Sequence, residues 1–136
     1  MADLTITAAS VIAGTGAKSV SGTAGATITA GQTVYLDSAD NEYKLADCDS
    51  ATEAVRSPVG IALHGASDGQ PLKVHTKGLI TIGATMTAGA TYYLSQNAGG
   101  ICPIADLGSG DYRTIIGIAT STTVLDVQII ESGVAP

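Results

Sequence analysis

The sequence predicts an all-β fold: a small antiparallel barrel or sandwich assembled from two internal repeats. Three observations predict it. GATITAGQTVYL at 25–36 returns 58 residues later as GATMTAGATYYL at 83–94, with nine of the twelve positions identical. GIA at Gly60–Ala62 returns at 117–119, and each copy closes on a glycine, Gly78 and Gly133. Turn signals then recur about every ten residues between short apolar stretches, which is the spacing of sandwiches and barrels. Lastly, five Tyr are the only aromatics, so Ala, Val, Ile, Leu and Thr must fill the core, a composition suited to short strands. A unit of roughly 55 residues buries too little apolar surface to stand alone, and two copies closing one core is the economical solution. The chain therefore divides into an N-terminal arm, 1–24, and one pseudo-symmetric domain, 25–136. Repeat one spans 25–78 and repeat two 83–133.

In chain order, LTIT alternates with period two and predicts a strand over 3–8. The following AGTGAKSVSGTAG is small and polar, and predicts a flexible or extended segment that returns as an edge strand or reaches a neighbour. Each repeat opens on a turn and a strand, 26–38 and 84–96, with the AG dipeptide marking a turn or bulge. Polar hairpins follow at 38–43 and 95–100, then return strands YKLA at 43–46 and ICPI at 101–104. Beyond a longer polar loop come VGIALHG at 59–65 and IIGIATS at 115–121. PLKVHTKG at 71–78 and LDVQIIESG at 125–133 end the units, and LITIGA at 79–84 links them as one more apolar strand. Only SATEAVR at 50–56 offers a helical turn.

Aligned on their closing glycines, Leu72 matches Val127 and Val74 matches Ile129, alternating positions that should point inward. The opposite face carries Lys73, His75 and Lys77 in the first copy, but Gln128, Ile130 and Ser132 in the second. Lys73 and Lys77 are two of only six basic residues in an acidic chain. They read either as lysines protecting a sheet edge or as a contact for an acidic partner. Ile130, apolar where copy one is charged, is a candidate buried contact.

Charged residues are 13% of the chain and the formal net charge is −6, a balance that repels phosphate backbones and argues against a nucleic-acid partner. Residues 1–24 lack a basic n-region and a sustained apolar run, so no signal peptide is expected, and no stretch reaches transmembrane length. Cys48 and Cys102 fall at places that do not correspond in the repeats, and read as two unrelated thiols of a chain folding in a cytoplasm.

The motifs carry no chemistry. GASDG at 65–69 lacks the spacing of a nucleophile elbow, and His64 or His75 with some serine is a chance match to a triad. The two histidines could lie near each other on paired strands, but a zinc site wants three or four compact ligands. The acidic stretch Asp37, Asp40, Glu42, Asp47, Asp49 and Glu53 does not follow the calcium-loop pattern and reads as a solvated hairpin rim. AGGI at 98–101 is a hairpin turn with no helix behind it. Catalytic residues, cofactors and metals are therefore not expected.

The order T-x-T-A-G-x-x-Y-L, polar hairpin, K-L-A, long loop, V-G-I-A, loop, strand ending K-x-G resembles the head-decoration, or capsid cement, proteins of tailed bacteriophages. Residues 27–36, 44–46, 59–62 and 72–78 carry it, and 85–94, 117–119 and 127–133 repeat most of it; ICPI departs from the K-L-A form. The resemblance implies a β-barrel, β-tulip-like or jelly-roll-like fold, a homo-dimer or homo-trimer, and a major capsid protein as partner. It implies a virion protein on the outer capsid surface, assembled in the host cytoplasm. In that setting the arm 3–12, with Leu4, Ile6, Val11 and Ile12, is expected to pair with a neighbouring strand edge. Deletion of residues 1–12 is then expected to leave a folded protein that no longer binds capsids. A phage tail or fibre component and a β-type ligand-binding module are the other classes the residues allow.

Overall fold

Alternating apolar stretches bounded by glycine turns become strands throughout the computed structural model, which describes residues 3–108 and 111–131. The strands are β1 (Ile12–Ala13), β2 (Lys18–Ala24), β3 (Thr33–Asp37), β4 (Glu42–Leu45), β5 (Gly60–Ala62), β6 (Pro71–Thr81), β7 (Thr91–Leu94), β8 (Ile101–Pro103), β9 (Thr114–Ala119) and β10 (Val124–Glu131). Short 3-10 turns lie at Ala8–Ser10, Glu53–Arg56 and Ile104–Asp106, the second where SATEAVR promises one. Ser132 and the closing Gly133 lie outside the described residues. Among the described residues no helix is long and apolar enough to cross a membrane.

The strands form one mixed sheet. In the first half β3 pairs with β4 and β5, and β5 with β6; in the second, β7 pairs with β8 and β9, and β9 with β10. β6 and β10 meet antiparallel, Thr81 opposite Val124 through Gly78 opposite Val127. The strand order therefore reads alike outward from this seam in both directions.

β2 corrects the expected all-antiparallel sheet. It lies antiparallel to β6, from Lys18 opposite Lys77 to Thr23 opposite Pro71, and parallel to β4 at Thr23–Glu42 and Ala24–Tyr43. Strands β2, β4, β3, β5 and β6 thus form a closed ring of hydrogen-bonded neighbours. The residues of β2 are small and polar, and their order comes from backbone pairing with a strand distant in sequence, a source that local pattern does not reveal.

β6 serves two surroundings. Its first seven residues border β2 and β5, while Gly78 to Thr81 border β10 and, at Ile80 and Thr81, β1. Gly78 makes the corner: its φ is 96°, and a side chain there would run into the backbone of Gly16. Leu79–Thr81, expected within a separate linking strand, instead continue β6.

The arm does not form the strand expected over 3–8. Leu4 N–H donates to Ile101 O and Thr7 N–H to Gly83 O, each at 2.8 Å, so its bonds go to two separate segments and build no ladder.

Two apolar clusters hold the fold. The smaller takes Ala24, Val34, Tyr43, Ala62, Leu72 and Val74, at least one residue from every strand of the ring, with Ile28 and Ala66 from the loops. The larger is shared between the halves: Tyr35, Ala46, Cys48 and Ile61 from the first meet Ile80, Ile82, Tyr92, Leu94, Ile101, Ile116, Ala119, Leu125 and Val127. Neighbours along β3 and β5 therefore face different clusters, Val34 and Ala62 one way, Tyr35 and Ile61 the other. These strands are buried on both sides.

Candidate partner-binding surface

The candidate contact residues separate into buried and exposed sets. Val11 is buried in the larger cluster, and Leu4 and Ile6 pack half-buried against it. These three correct the expectation of an arm free to pair elsewhere: their apolar side chains complete the chain's own core. The arm is also tied down by Asp3, whose carboxylate accepts from Ser95 Oγ at 2.7 Å and Asn97 Nδ2 at 3.1 Å. Ile12, at 62% exposure, remains outside.

On β6, Lys73 and Lys77 are exposed but His75 is fully buried, which corrects its expected exposure and not its face. Val74 faces the smaller cluster and His75 the opposite way, as alternation expects, and there the larger cluster covers it. A bulge follows: Lys18 stands opposite Lys77 and Ser19 opposite His75, so Thr76 is an extra residue. Across β5, His75 faces Ile61, a member of the larger cluster. Its Nε2 lies 2.9 Å from Gly78 O, a carbonyl that only accepts, so this nitrogen donates. Nδ1 has no hydrogen-bond partner. His64 does not join it: its Nε2 accepts from Lys73 N at 3.1 Å, and its Nδ1 contacts Gly65 O at 2.9 Å.

Lys18, which sequence reading missed because it sits in the segment taken as flexible, extends the lysine strip: it is exposed and lies directly across from Lys77. Like charges so placed repel. Among the described residues the recorded ion pairs involve neither: Lys44 takes Asp37 at 2.8 Å and Asp40 at 3.0 Å. The Lys44 ammonium, with the Ala39 N–H, holds the Asp37 carboxyl below its usual range. Asp40 accepts Glu42 N–H at 3.1 Å, so these acids shape the hairpin itself.

Lys77 and Ile130 line one open groove of about 710 Å³ with Pro58, Val59, Thr76 and Ile129. Here β10 has run past its pairing with β6, which ends at Val127, and keeps only β9 beside it at Ile130 and Glu131. Ile130 is 57% exposed, and on its other side joins Ile115 and Ile118 around a hollow of about 120 Å³. Ile118 was also missed. The GIA triplet that contains it is the signal, since the same residue in the first copy, Ile61, is wholly buried.

The thiols are unbonded, as expected, but share a neighbourhood. Both are free and buried. Cys48 N–H donates to Ser95 O at 3.0 Å, tying the loop after β4 to the hairpin before β8. Burial, followed by the charges of Asp111 and Cys102, pushes the Cys48 thiol up to about 12. Burial, followed by Asp3 and Asp106, does the same to Cys102. Cys102, Asp3 and Asp106 place one donor atom each within 4.8 Å of one another and are the described residues that could hold a cation. Asp3 is already committed to Ser95 and Asn97, and the Cys102 thiol is held in its protonated form. Nearby, burial and then the Asp49 carboxyl raise Asp47 above the usual carboxylate range.

Compared with known proteins, the chain matches no family model and no curated sequence.

Proposed function

We propose that this chain is a structural virion protein that binds the outer surface of a phage capsid in many copies and stabilises the mature lattice. One observation carries the reading. The segments that bear the resemblance, 27–36, 44–46, 59–62 and 72–78, run through β3 to β6, and their echoes run through β7, β9 and β10 in the same pairing order about the β6–β10 seam. This order supports a duplicated unit, with the five-stranded ring of the first half as a small barrel. Its partners are the major capsid protein and further copies of itself, and its role is not catalytic.

Linkage supplies the mechanism. A protein that binds the assembled lattice but not its free subunits stabilises the lattice by mass action. An oligomer that engages several subunits at once gains avidity without large single interfaces. The arm acts within the chain's own core, so the exposed candidates for capsid contact are Ile12, Lys18, Lys73, Lys77 and the groove beside β10. Co-sedimentation with phage heads stripped of accessory proteins tests the reading. Saturable binding at a fixed ratio per capsid subunit, with heads that resist heat longer, is the expected result. No binding to heads would reject it and turn attention to tails and free ligands.

A further inference from the structure

The two copies of the sequence differ at the place where each half closes. In the first, β2 runs along β6 and leads to Gly25, whose N–H donates to Tyr43 O of β4 at 2.7 Å. In the second, the end of β6 takes the part of β2: Leu79–Thr81 run along β10 and lead to Gly83, the counterpart of Gly25. The counterpart of Tyr43 is Ile101 of β8. Its carbonyl oxygen instead accepts Leu4 N–H, and Gly83 O accepts Thr7 N–H, each at 2.8 Å. Residues 3–7 of the arm therefore stand in the seam that the first half closes directly.

The seam is shaped for this segment. Leu4 and Ile6 are half-buried while Thr5 and Thr7 are exposed, the alternation of an extended chain. Three glycines leave room for it. A Cβ on Gly100 would strike the Asp3 carboxylate, one on Gly31 the Ile6 side chain, and one on Gly83 the Thr7 carbonyl oxygen. Yet the segment is lightly held. It builds no ladder, separate cavities of about 260 and 530 Å³ adjoin it, and the 3-10 turn behind it, Ala8–Ser10, is exposed throughout. Only beyond that turn does Val11 anchor the chain in the larger cluster.

We propose that residues 3–7 are a strap that closes the second half and lifts as a unit about the Ala8–Ser10 turn, uncovering Cys102 while the strands stay paired. Ile101 turns into the larger cluster, and Cys102 alternates away from it, outside both clusters. Cys102 is nonetheless 1% exposed, and an Asp3 carboxylate oxygen lies within 4.8 Å of its sulfur. Cys48 is the natural reference. It sits inside the larger cluster, and its N–H is bonded to Ser95 O, so a reagent reaches it only by wider unfolding. A lightly held segment opens at a smaller free energy than the whole fold, and the two thiols report those two events separately. The inference stands apart from capsid binding.

Iodoacetamide labelling of the full chain, followed at each cysteine by mass spectrometry, tests it. In the wild type Cys102 is expected to react faster than Cys48. Leu4→Ala/Ile6→Ala is expected to speed Cys102 at least about tenfold and to leave Cys48 nearly unchanged. Val34→Ala, in the smaller cluster of the first half, is the control. It should speed Cys48 and leave Cys102 as it was. An arm variant that speeds both thiols alike would make the arm an integral part of one cooperative core and overturn the strap. One that leaves Cys102 unchanged would overturn it too. Should the arm variant not fold, the wild type decides in urea below its unfolding transition. A local opening exposes little surface, so labelling of Cys102 should barely respond to urea while that of Cys48 rises steeply. Equal steepness would overturn the proposal.

Discussion

The two halves follow one strand plan and differ in what closes them. In the first, β2 joins β4 to β6, and the ring gathers its own cluster around Val34, Tyr43, Ala62 and Val74. In the second, β10, β9, β7 and β8 stay open among the described residues, with one face on the shared cluster and the other in solvent. Repetition of sequence thus fixes which strands pair, while burial depends on where each copy sits. Ile61 and Ile118 occupy the same place in GIA, yet one is wholly buried and the other half exposed.

The strongest way to break this comparison is at the glycines of those triplets. A Cβ on Gly60 would strike the carbonyl oxygen of His75, and one on Gly117 the carbonyl oxygen of Asp126. In each case the obstacle is the backbone of the paired strand, which cannot rotate away. Gly60→Ala and Gly117→Ala are each expected to cost about 3 kcal/mol in urea unfolding. A tolerated Gly117→Ala beside a damaging Gly60→Ala would mean that the two sheets are not built alike at this point.

Removing the next residue sharpens the contrast. Ile61→Ala empties a site at 0% exposure and should cost about 3 kcal/mol. Ile118→Ala, at 50% exposure, should stay within about 0.5 kcal/mol for the monomer. Equal losses would show that the outer face of the second half is as well packed as its counterpart.

What could be read from the sequence follows the same division. Strands β3 to β10 were legible because apolar alternation and turn glycines are local signals, and because the chain states most of them twice. β2 was legible only as one of two outcomes for the arm, an edge strand folding back or a reach to a neighbour, since Lys18, Ser19 and Ser21 have no strand pattern and gain order from β6 and β4. The face of His75, opposite Val74, was legible, but its burial was not, because it depends on the second half of the chain packing over that face. Of the candidate contacts, Lys73, Lys77, Ile12 and Ile130 were singled out on chemical character alone, and all four are exposed. Leu4, Ile6 and Val11 were not correctly placed, because an apolar side chain in an arm looks the same whether its partner is another protein or its own core.

The thiols probe the join between the halves. Cys48 comes from the first and Cys102 from the second, and burial pushes both from an ordinary value of 9.0 up to about 12. A pKa raised by folding contributes stability that is complete below the unfolded value and is lost as pH rises toward the folded one. Between pH 9 and 12 each thiol should therefore remove roughly 1.4 kcal/mol of stability per pH unit. Replacing one of them, as in Cys102→Ala, should halve that part of the alkaline slope in urea titrations at stepped pH. An unaltered slope would mean that the Cys102 thiol reaches solvent and titrates alike in both states.

A modest effect is expected at the arm, which touches both halves. Asp3 accepts hydrogen bonds from Ser95 and Asn97 in the second half, and Ile6 packs close over Gly31 in the first. Asp3→Ala removes both acceptor contacts and should cost about 1 kcal/mol. The loss should also be local. Hydrogen exchange is expected to quicken at the amides of Leu4 and Thr7, which bond to Ile101 and Gly83, while the ladder between β3 and β5 keeps its protection. If protection fell equally in the ring, the arm would be part of what closes the first half, and β2 alone would not account for the difference between the two.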